Sequence, residues 1–396
     1  MDKDKQYSKI LAGKRTLAPY PMERVRHVDE MTTSIVGEIA RLDARDQGFS
    51  QAMTGRLGPV TQREFGRFGT KSPLNAAMMF DFGKNFAPLR DGPIFPAKAP
   101  IPDDPAVMSS HIKALGYYLK AQGVGICELP QWAIYSLDQE GKPIDIKHKF
   151  AIVLLSEWDY ETMAGSTGHD WISNCESFLT YNASAHMACT MAAYIRRLGF
   201  PARANFQSGP IPAYDMVLTP LIILAGLGKL SRAGWALNPY LGGRFKASVV
   251  TTDLPLQPDK PIDIGLQEFC RTCKKCAESC PSKAISLADD KVEHNGYMSW
   301  PLDMARCTKY RVCNQNGAGC GMCVKSCPWN KPQGWFHDLT RWTIRTIPFM
   351  DPWLVKLDTF FGYGRQDREW KWWFDFESGD QETHMAGTKE DNVWQK

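Results

Sequence analysis

Residues 269–281 read Phe269-Cys270-Arg271-Thr272-Cys273-Lys274-Lys275-Cys276-Ala277-Glu278-Ser279-Cys280-Pro281. Three thiols at this close spacing can wrap one face of an iron–sulfur cubane, while the fourth, just ahead of a proline, points away to a neighbouring site. A second run, Cys320-x2-Cys323-x3-Cys327-Pro328, follows. Zinc sites prefer paired CxxC units, so the expectation is two [4Fe–4S] clusters. Nine of the twelve cysteines fall between residues 270 and 327. Such crowding in a long chain means metal rather than a disulfide scaffold.

Two such runs imply crossed ligation, as in bacterial two-cluster ferredoxins. Cys270, Cys273, Cys276 and Cys327 are assigned to one cluster. Cys280, Cys320, Cys323 and one upstream cysteine, Cys307 or Cys313, are assigned to the other; spacing alone leaves that choice open. The remaining three, Cys127, Cys175 and Cys189, sit in apolar surroundings and read as buried reduced thiols.

Outward from the cysteines, the 396-residue chain is 43% hydrophobic and 23% charged, enough for a sizeable core. Its length favours two or three domains. A net charge of +4 is too weak to argue for a nucleic-acid partner. The longest apolar stretch, Met216–Leu227, is interrupted by Pro220 and is too short to span a bilayer. Met1-Asp-Lys-Asp-Lys leads into no apolar segment, and the adjacent arginines Arg196-Arg197 lie deep inside the chain. The expectation is a cytoplasmic protein.

The pattern divides the chain into residues 1–105, an N-terminal region ending in a Pro-rich connector; 106–255, an α/β domain; 256–335, the cluster domain; and 336–396, an aromatic-rich extension. Six prolines between 88 and 105 exclude a helix or central strand there. Helices are expected over Thr32–Leu42, His111–Ala121, Phe178–Leu198 and Thr219–Leu230, the third capped by Gly199. Strands are expected at Val124–Leu129, Ala151–Leu155, Ala202–Phe206 and Ala247–Thr252. Elements alternating this way suggest a layered α/β unit.

Several blocks add a resemblance. Ala225-Gly-Leu-Gly-Lys-Leu-Ser-Arg232, Asn238-Pro-Tyr-Leu-Gly-Gly-Arg244, Thr251-Thr-Asp-Leu-Pro-Leu256 and Cys327-Pro-Trp-Asn-Lys331 resemble the corrinoid-dependent reductive dehalogenases, cytoplasmic non-respiratory type. Tyr181–Gly199 and Asp351-Pro-Trp with Phe361-Gly-Tyr-Gly364 look like the same family. The resemblance implies a mixed α+β, α/β architecture: a nitroreductase-like cobalamin-binding domain followed by a bacterial two-[4Fe–4S] ferredoxin-like domain. It implies a base-off cobalamin, and it favours Cys307 over Cys313 through the Cys307-x-x-Tyr310 run.

The reaction so implied is loss of halide from an organohalide, an aryl halide by expectation, with electrons from an external ferredoxin, flavodoxin or reductase. A tyrosine donates the proton and a nearby cation stabilises the phenolate. Block position maps the donor to Tyr181, the cation to Arg244 and a polar partner to Asn205. Ala225, Gly226, Gly228, Gly242 and Gly243 are expected to let backbone approach the corrin. The tail tryptophans Trp335, Trp342 and Trp353 suit a substrate wall, core packing or a partner surface. Glu382-Thr-His384-Met-Ala-Gly387 is a chance match to the cobalamin-binding histidine motif.

Two other readings stand beside this one. Epoxyqueuosine reductase, a tRNA-modifying corrinoid enzyme, shares the Ala-Gly-Leu-Gly, Thr-Asp-Leu-Pro-Leu and Cys-Pro-Trp-Asn-Lys blocks. Its acidic residue is missing here, where Gly209-Pro-Ile-Pro-Ala-Tyr214 places Pro212 nearest, and the positive charge of a tRNA binder is lacking. A non-catalytic two-cluster electron carrier is disfavoured by the long α/β block ahead of the cysteines.

Overall fold

A computed structural model describes residues 18–168, 170–210, 214–314, 317–371 and 373. Residue Pro212 and the Glu382–Gly387 match lie outside the described residues.

The N-terminal region contributes α1 (Gly48–Met53) and α2 (Pro59–Phe68). No helix forms over Thr32–Leu42: this stretch runs extended, with Ile35 bridging Tyr297 and the Val36 amide donating to the Gly296 carbonyl. The β-branched residues Thr32, Thr33, Ile35 and Val36, followed by Gly37, disfavour a helix and suit this pairing. The Pro-rich segment straps the end of the longest helix, with the Phe95 and Ala99 amides donating to the Arg196 and Leu198 carbonyls. Pro105 then opens α3 (Pro105–Tyr118) at its first turn, behind an Asp104 cap.

The central unit alternates β1 (Gly123–Glu128), β2 (Phe150–Glu157), α4 (Ile172–Arg197), β3 (Ala202–Asn205), α5 (Leu218–Leu224), the short pair β4 (Lys229–Leu230) and β5 (Ala236–Leu237), and β6 (Phe245–Thr252). The four long strands form one sheet in the order β1-β2-β6-β3, antiparallel throughout. Both faces are covered, so β1 and β2 are apolar nearly throughout, whereas β3 and β6 carry polar residues such as Asn205, Ser248 and Thr251 that are buried with them. Period two sorts them into two cores. Cys127, Ala151, Val153, Leu155, Ala247 and Val249 face α5 and the loops after it. Val124, Ile126, Ile152, Leu154 and Val250 face α4, against Ala185, Ala188 and Ala192. Small residues on α4 let it lie close to the sheet.

The C-terminal third holds α6 (Leu266–Cys273), α7 (Lys275–Glu278), the hairpin β7 (Val292–His294) and β8 (Tyr297–Ser299), α8 (Met304–Cys313), α9 (Met322–Lys325), α10 (Trp335–Thr346) and α11 (Asp351–Phe360). Lys274 between α6 and α7 adopts φ +55°, and Gly321 ahead of α9 adopts φ +75°. These left-handed turns reverse the chain between thiols; only the glycine does so without strain. Asp358 on α11 pairs with both Lys275 and Lys331, the latter at 2.6 Å, and so staples the two cysteine runs together. No helix among the described residues is long and apolar enough to cross a membrane.

Gly125 sits in β1 where a Cβ would lie 2.2 Å from the Ala225 carbonyl oxygen, whereas Gly66 on exposed α2 has nothing within 4 Å. Gly125→Val should therefore lower unfolding stability by about 1–3 kcal/mol through overpacking. Gly66→Ala should raise it by roughly 0.5–1 kcal/mol. Urea titrations of the two variants should show midpoints moving in opposite directions.

Candidate active site and thiol groups

Tyr181 lies one turn after Phe178 on α4, and the two rings meet edge to face at 5.8 Å. Across from them, Lys246 projects from the α4 face of β6, two residues before Ser248, whose hydroxyl donates to the Ser184 carbonyl. The Lys246 ammonium is 4.8 Å from the centre of the Tyr181 ring and 4.6 Å from that of Trp158. Burial holds its pKa below the usual lysine range, and Tyr181 opposes that shift by charge and by a side-chain hydrogen bond. Tyr214, held with its hydroxyl 3.4 Å from the Ala247 carbonyl, has its pKa raised by burial and by the neighbouring Tyr181. Arg311 on α8 lies within electrostatic reach of Lys246 and stacks 4.4 Å from the centre of the Phe49 ring.

Arg244 and Asn205 are engaged by other partners. Arg244 is 2% exposed and ion-paired with Glu157; it also donates 2.7 Å to the Trp158 carbonyl and lies over the Tyr160 ring. Its carboxylate partner is engaged in turn by the Tyr20 hydroxyl. Asn205 is fully buried: its amide oxygen takes donors from Arg90 and the Asp215 backbone, and its NH2 donates to the Arg203 carbonyl. The cation beside Tyr181 is thus Lys246. Its sequence signal is a lysine near the start of a strand that is buried on both faces.

The glycine-rich blocks are packed against the chain itself. A Cβ on Gly226 or Gly228 would meet the Lys260 or Leu237 carbonyl, at 2.5 and 2.9 Å. One on Gly242 would meet Trp329 and Asn330, and one on Gly243 the Trp235 ring. Ala225 is buried beneath β1. Trp335 and Trp353 are 79% and 60% exposed and wall no slot; Trp342 is exposed too.

The eight motif thiols separate into two groups. Cys270, Cys273, Cys276 and Cys327 line one cavity with Arg232, Trp235, Phe269 and Trp329. Burial raises the pKa of Cys270 to about 11 and of Cys327 to about 12, and the members of the group raise one another further. Cys280, Cys307, Cys320 and Cys323 influence one another in the same way, burial raising Cys320 to about 11 and Cys323 to about 12. Burial also acts on Cys280, but hydrogen bonds from Ser282 and the Ala284 and Ile285 amides outweigh it and leave the thiol below its usual range. Cys313 belongs to neither group. It faces Thr61, with its sulfur 3.8 Å from the hydroxyl, in the small core under α1 and α2. Cys307 and Cys313 are about one and two-thirds helical turns apart, which puts them on different faces of α8. Among the described residues no three His, Cys, Asp or Glu side chains close on a single metal ion.

Between these features lie buried polar atoms with no hydrogen-bond partner among the described residues: Trp158 Nε1, Asn174 Nδ2, Trp329 Nε1 and Asn330 Oδ1. Buried polar groups are almost always paired, so unpaired ones beside Lys246 and around the Cys327 loop mark places where a polar-edged molecule fits. Glu176, buried on α4, accepts from the Asp159 amide, and burial raises its pKa to about 7.

A family model for a 4Fe-4S double cluster binding domain matches residues 269–330. The chain is 35% identical over 244 residues to a tetrachloroethene reductive dehalogenase of Desulfitobacterium hafniense, covering 59% of this chain and 41% of that protein. It is 32% identical over 113 residues to an epoxyqueuosine reductase of Cyclobacterium marinum, covering 28% and 35%. The structure superimposes with a TM-score of 0.86 and 40% identity on a catabolic reductive dehalogenase, NpRdhA, in complex with 3-bromo-4-hydroxybenzoic acid; this covers 96% of this chain and 54% of the other. The chain spans about half the length of these dehalogenases.

Cys313→Ser should leave iron and acid-labile sulfide at the parent level, whereas Cys307→Ser should lose up to one cluster's worth. Metal analysis of anaerobically reconstituted protein checks both. Glu176 binds its proton more tightly folded than unfolded, so its contribution erodes stability as pH rises from 4.5 toward about 7. Asp351, also raised to about 7 by burial and then by Glu268, adds in the same direction. Glu176→Gln should flatten the fall in denaturation midpoint over that window.

Proposed function

We propose, for a chain that belongs to the reductive dehalogenase family, that it removes halide from an aryl organohalide, with Tyr181 delivering the proton. The observation that carries the reading is the Tyr181–Lys246 contact, with Lys246 within electrostatic reach of Cys323 in one of the two thiol groups. Cys270, Cys273, Cys276 and Cys327 would hold one [4Fe–4S] cluster, and Cys280, Cys307, Cys320 and Cys323 the other. The thiol grouping and the N–H···S contacts to Cys280 support this donor set. The unpaired polar atoms of Trp158, Asn174, Trp329 and Asn330 fit the amide-bearing edge of a base-off corrinoid.

Such a corrinoid, when bound, supplies the low-potential electrons for breaking a carbon–halogen bond. The chain does the rest. Tyr181 offers its hydroxyl proton to the carbon that loses halide, and Lys246 stabilises the phenolate left behind. Phe178, Trp158 and Tyr214 give the site aromatic walls. Arg311, a second cation near Lys246, suits a substrate carrying a phenolate or carboxylate. The hydroxybenzoate carried by the superimposed dehalogenase is of that class. Arg244 and Asn205 then act as framework residues, and residues 106–255 and 256–335 as the corrinoid and cluster units. Electrons come from an external low-potential donor.

The tRNA-enzyme reading draws its support from short shared blocks, and the modest net charge of +4 argues against it.

With cofactors loaded, Tyr181→Phe should lower turnover of a halophenol by about 10²–10⁴-fold, the usual worth of a positioned acid, with cluster and corrinoid content unchanged. Lys246→Met should act in the same direction. Parent-level halide release from Tyr181→Phe would remove the tyrosine from the mechanism. No halide release by loaded parent protein from any halophenol would shift the reading to the tRNA enzyme.

A further inference from the structure

Arg232 follows β4 and is 1% exposed. Its guanidinium is spent on backbone carbonyls: Nε donates to Cys270 at 2.9 Å, Nη1 to Ser286 at 2.9 Å and Ala288 at 2.7 Å, and Nη2 to Arg271 at 3.3 Å. Among the described residues it has no ion-pair partner. Asp289, the acid that feels its charge, is mostly exposed and pairs with Lys274 at 2.5 Å. A buried guanidinium without counter-charge is costly unless something negative lies beside it. The space beside it is the cavity that Arg232 lines together with Cys270, Cys273, Cys276 and Cys327, and Lys291 is the second cation on this side. Both cations stand over the Trp300 ring, each 4.6 Å from its centre. The other lysines near this thiol group, Lys275 and Lys331, are already paired with Asp358.

We propose that Arg232, assisted by Lys291, is a positioning residue that raises the reduction potential of the cluster facing Cys270. The inference rests on the cluster assignment proposed above. One-electron reduction adds a single negative charge to the cluster and moves no proton; the fixed guanidinium favours the more negative state. The second group instead has Arg311 one helical turn after Cys307 on α8, while Arg232 lines the cavity of the first, so the first cluster is the one whose potential should follow Arg232. The missing counter-ion of Arg232 is, in this account, the cluster itself.

The test is a potentiometric titration of the full chain, reconstituted anaerobically with iron and sulfide and reduced through low-potential mediators, with each cluster followed by its EPR signal. In Arg232→Gln one cluster should become about tenfold harder to reduce, a shift of ~59 mV to lower potential, while the other keeps its value. Arg232→Lys, which keeps the charge and loses the fork, should recover most of the shift. Lys291→Gln should move the same cluster in the same direction by less. A fully loaded Arg232→Gln protein with both potentials at parent values overturns the proposal. If Arg232→Gln fails to load iron, unchanged potentials in Lys291→Gln overturn it instead. A parent protein without two clusters would refute the cluster assignment itself, a separate outcome visible before any variant is made.

Discussion

Eight sulfurs taken out of water in two places is the constraint on which the rest of this molecule depends. Burial pushes most of these thiols toward their neutral form. A metal core is what turns that penalty into bonding, because a bound thiolate gives up its proton. Around this requirement the chain arranges left-handed turns at Lys274 and Gly321, the Trp235 indole packed toward Cys323, and hydrogen bonds to Cys280. Trp235, Phe269 and Trp329 line the first of these pockets beside the thiols.

The antiparallel sheet carries the chemistry to meet them. With both faces buried, a lysine on β6 has nowhere to go except along the groove beside α4, where it meets Tyr181. A tyrosine on a helix and a lysine on a strand far along the chain are thereby held together by two stiff elements rather than by loops. Arg244 lies close by and does different work. Its tie to Glu157 and to the Trp158 carbonyl fixes the segment that presents the Trp158 ring to Lys246.

How much of this could be read from sequence follows from the range of each signal. The thiol runs and their prolines were legible because ligation of a cubane is written in local spacing. Strands such as Ala151–Leu155 and the helix from Phe178 onward were legible because buried elements keep their period. The separation of Cys307 from Cys313 needed the helical phase of α8 and the core under α1 and α2. The cation beside Tyr181 was not legible from block position: Arg244 and Lys246 are two residues apart, and only the strand register and the Glu157 partner decide which one reaches the helix. The stretch Thr32–Leu42 misled because its apolar spacing imitates a helix while its β-branched residues pair with the β7–β8 hairpin instead.

The Asp358 clamp carries a consequence for biogenesis. A nascent chain displays both cysteine runs to its surroundings before the carboxylate that ties Lys275 to Lys331 has been synthesised. Until α11 docks, nothing from that helix holds the runs in register, and the half-built pocket stays open to iron-delivery machinery and oxidants alike. Docking of α11 is then the step that brings in the carboxylate holding Lys275 beside Lys331.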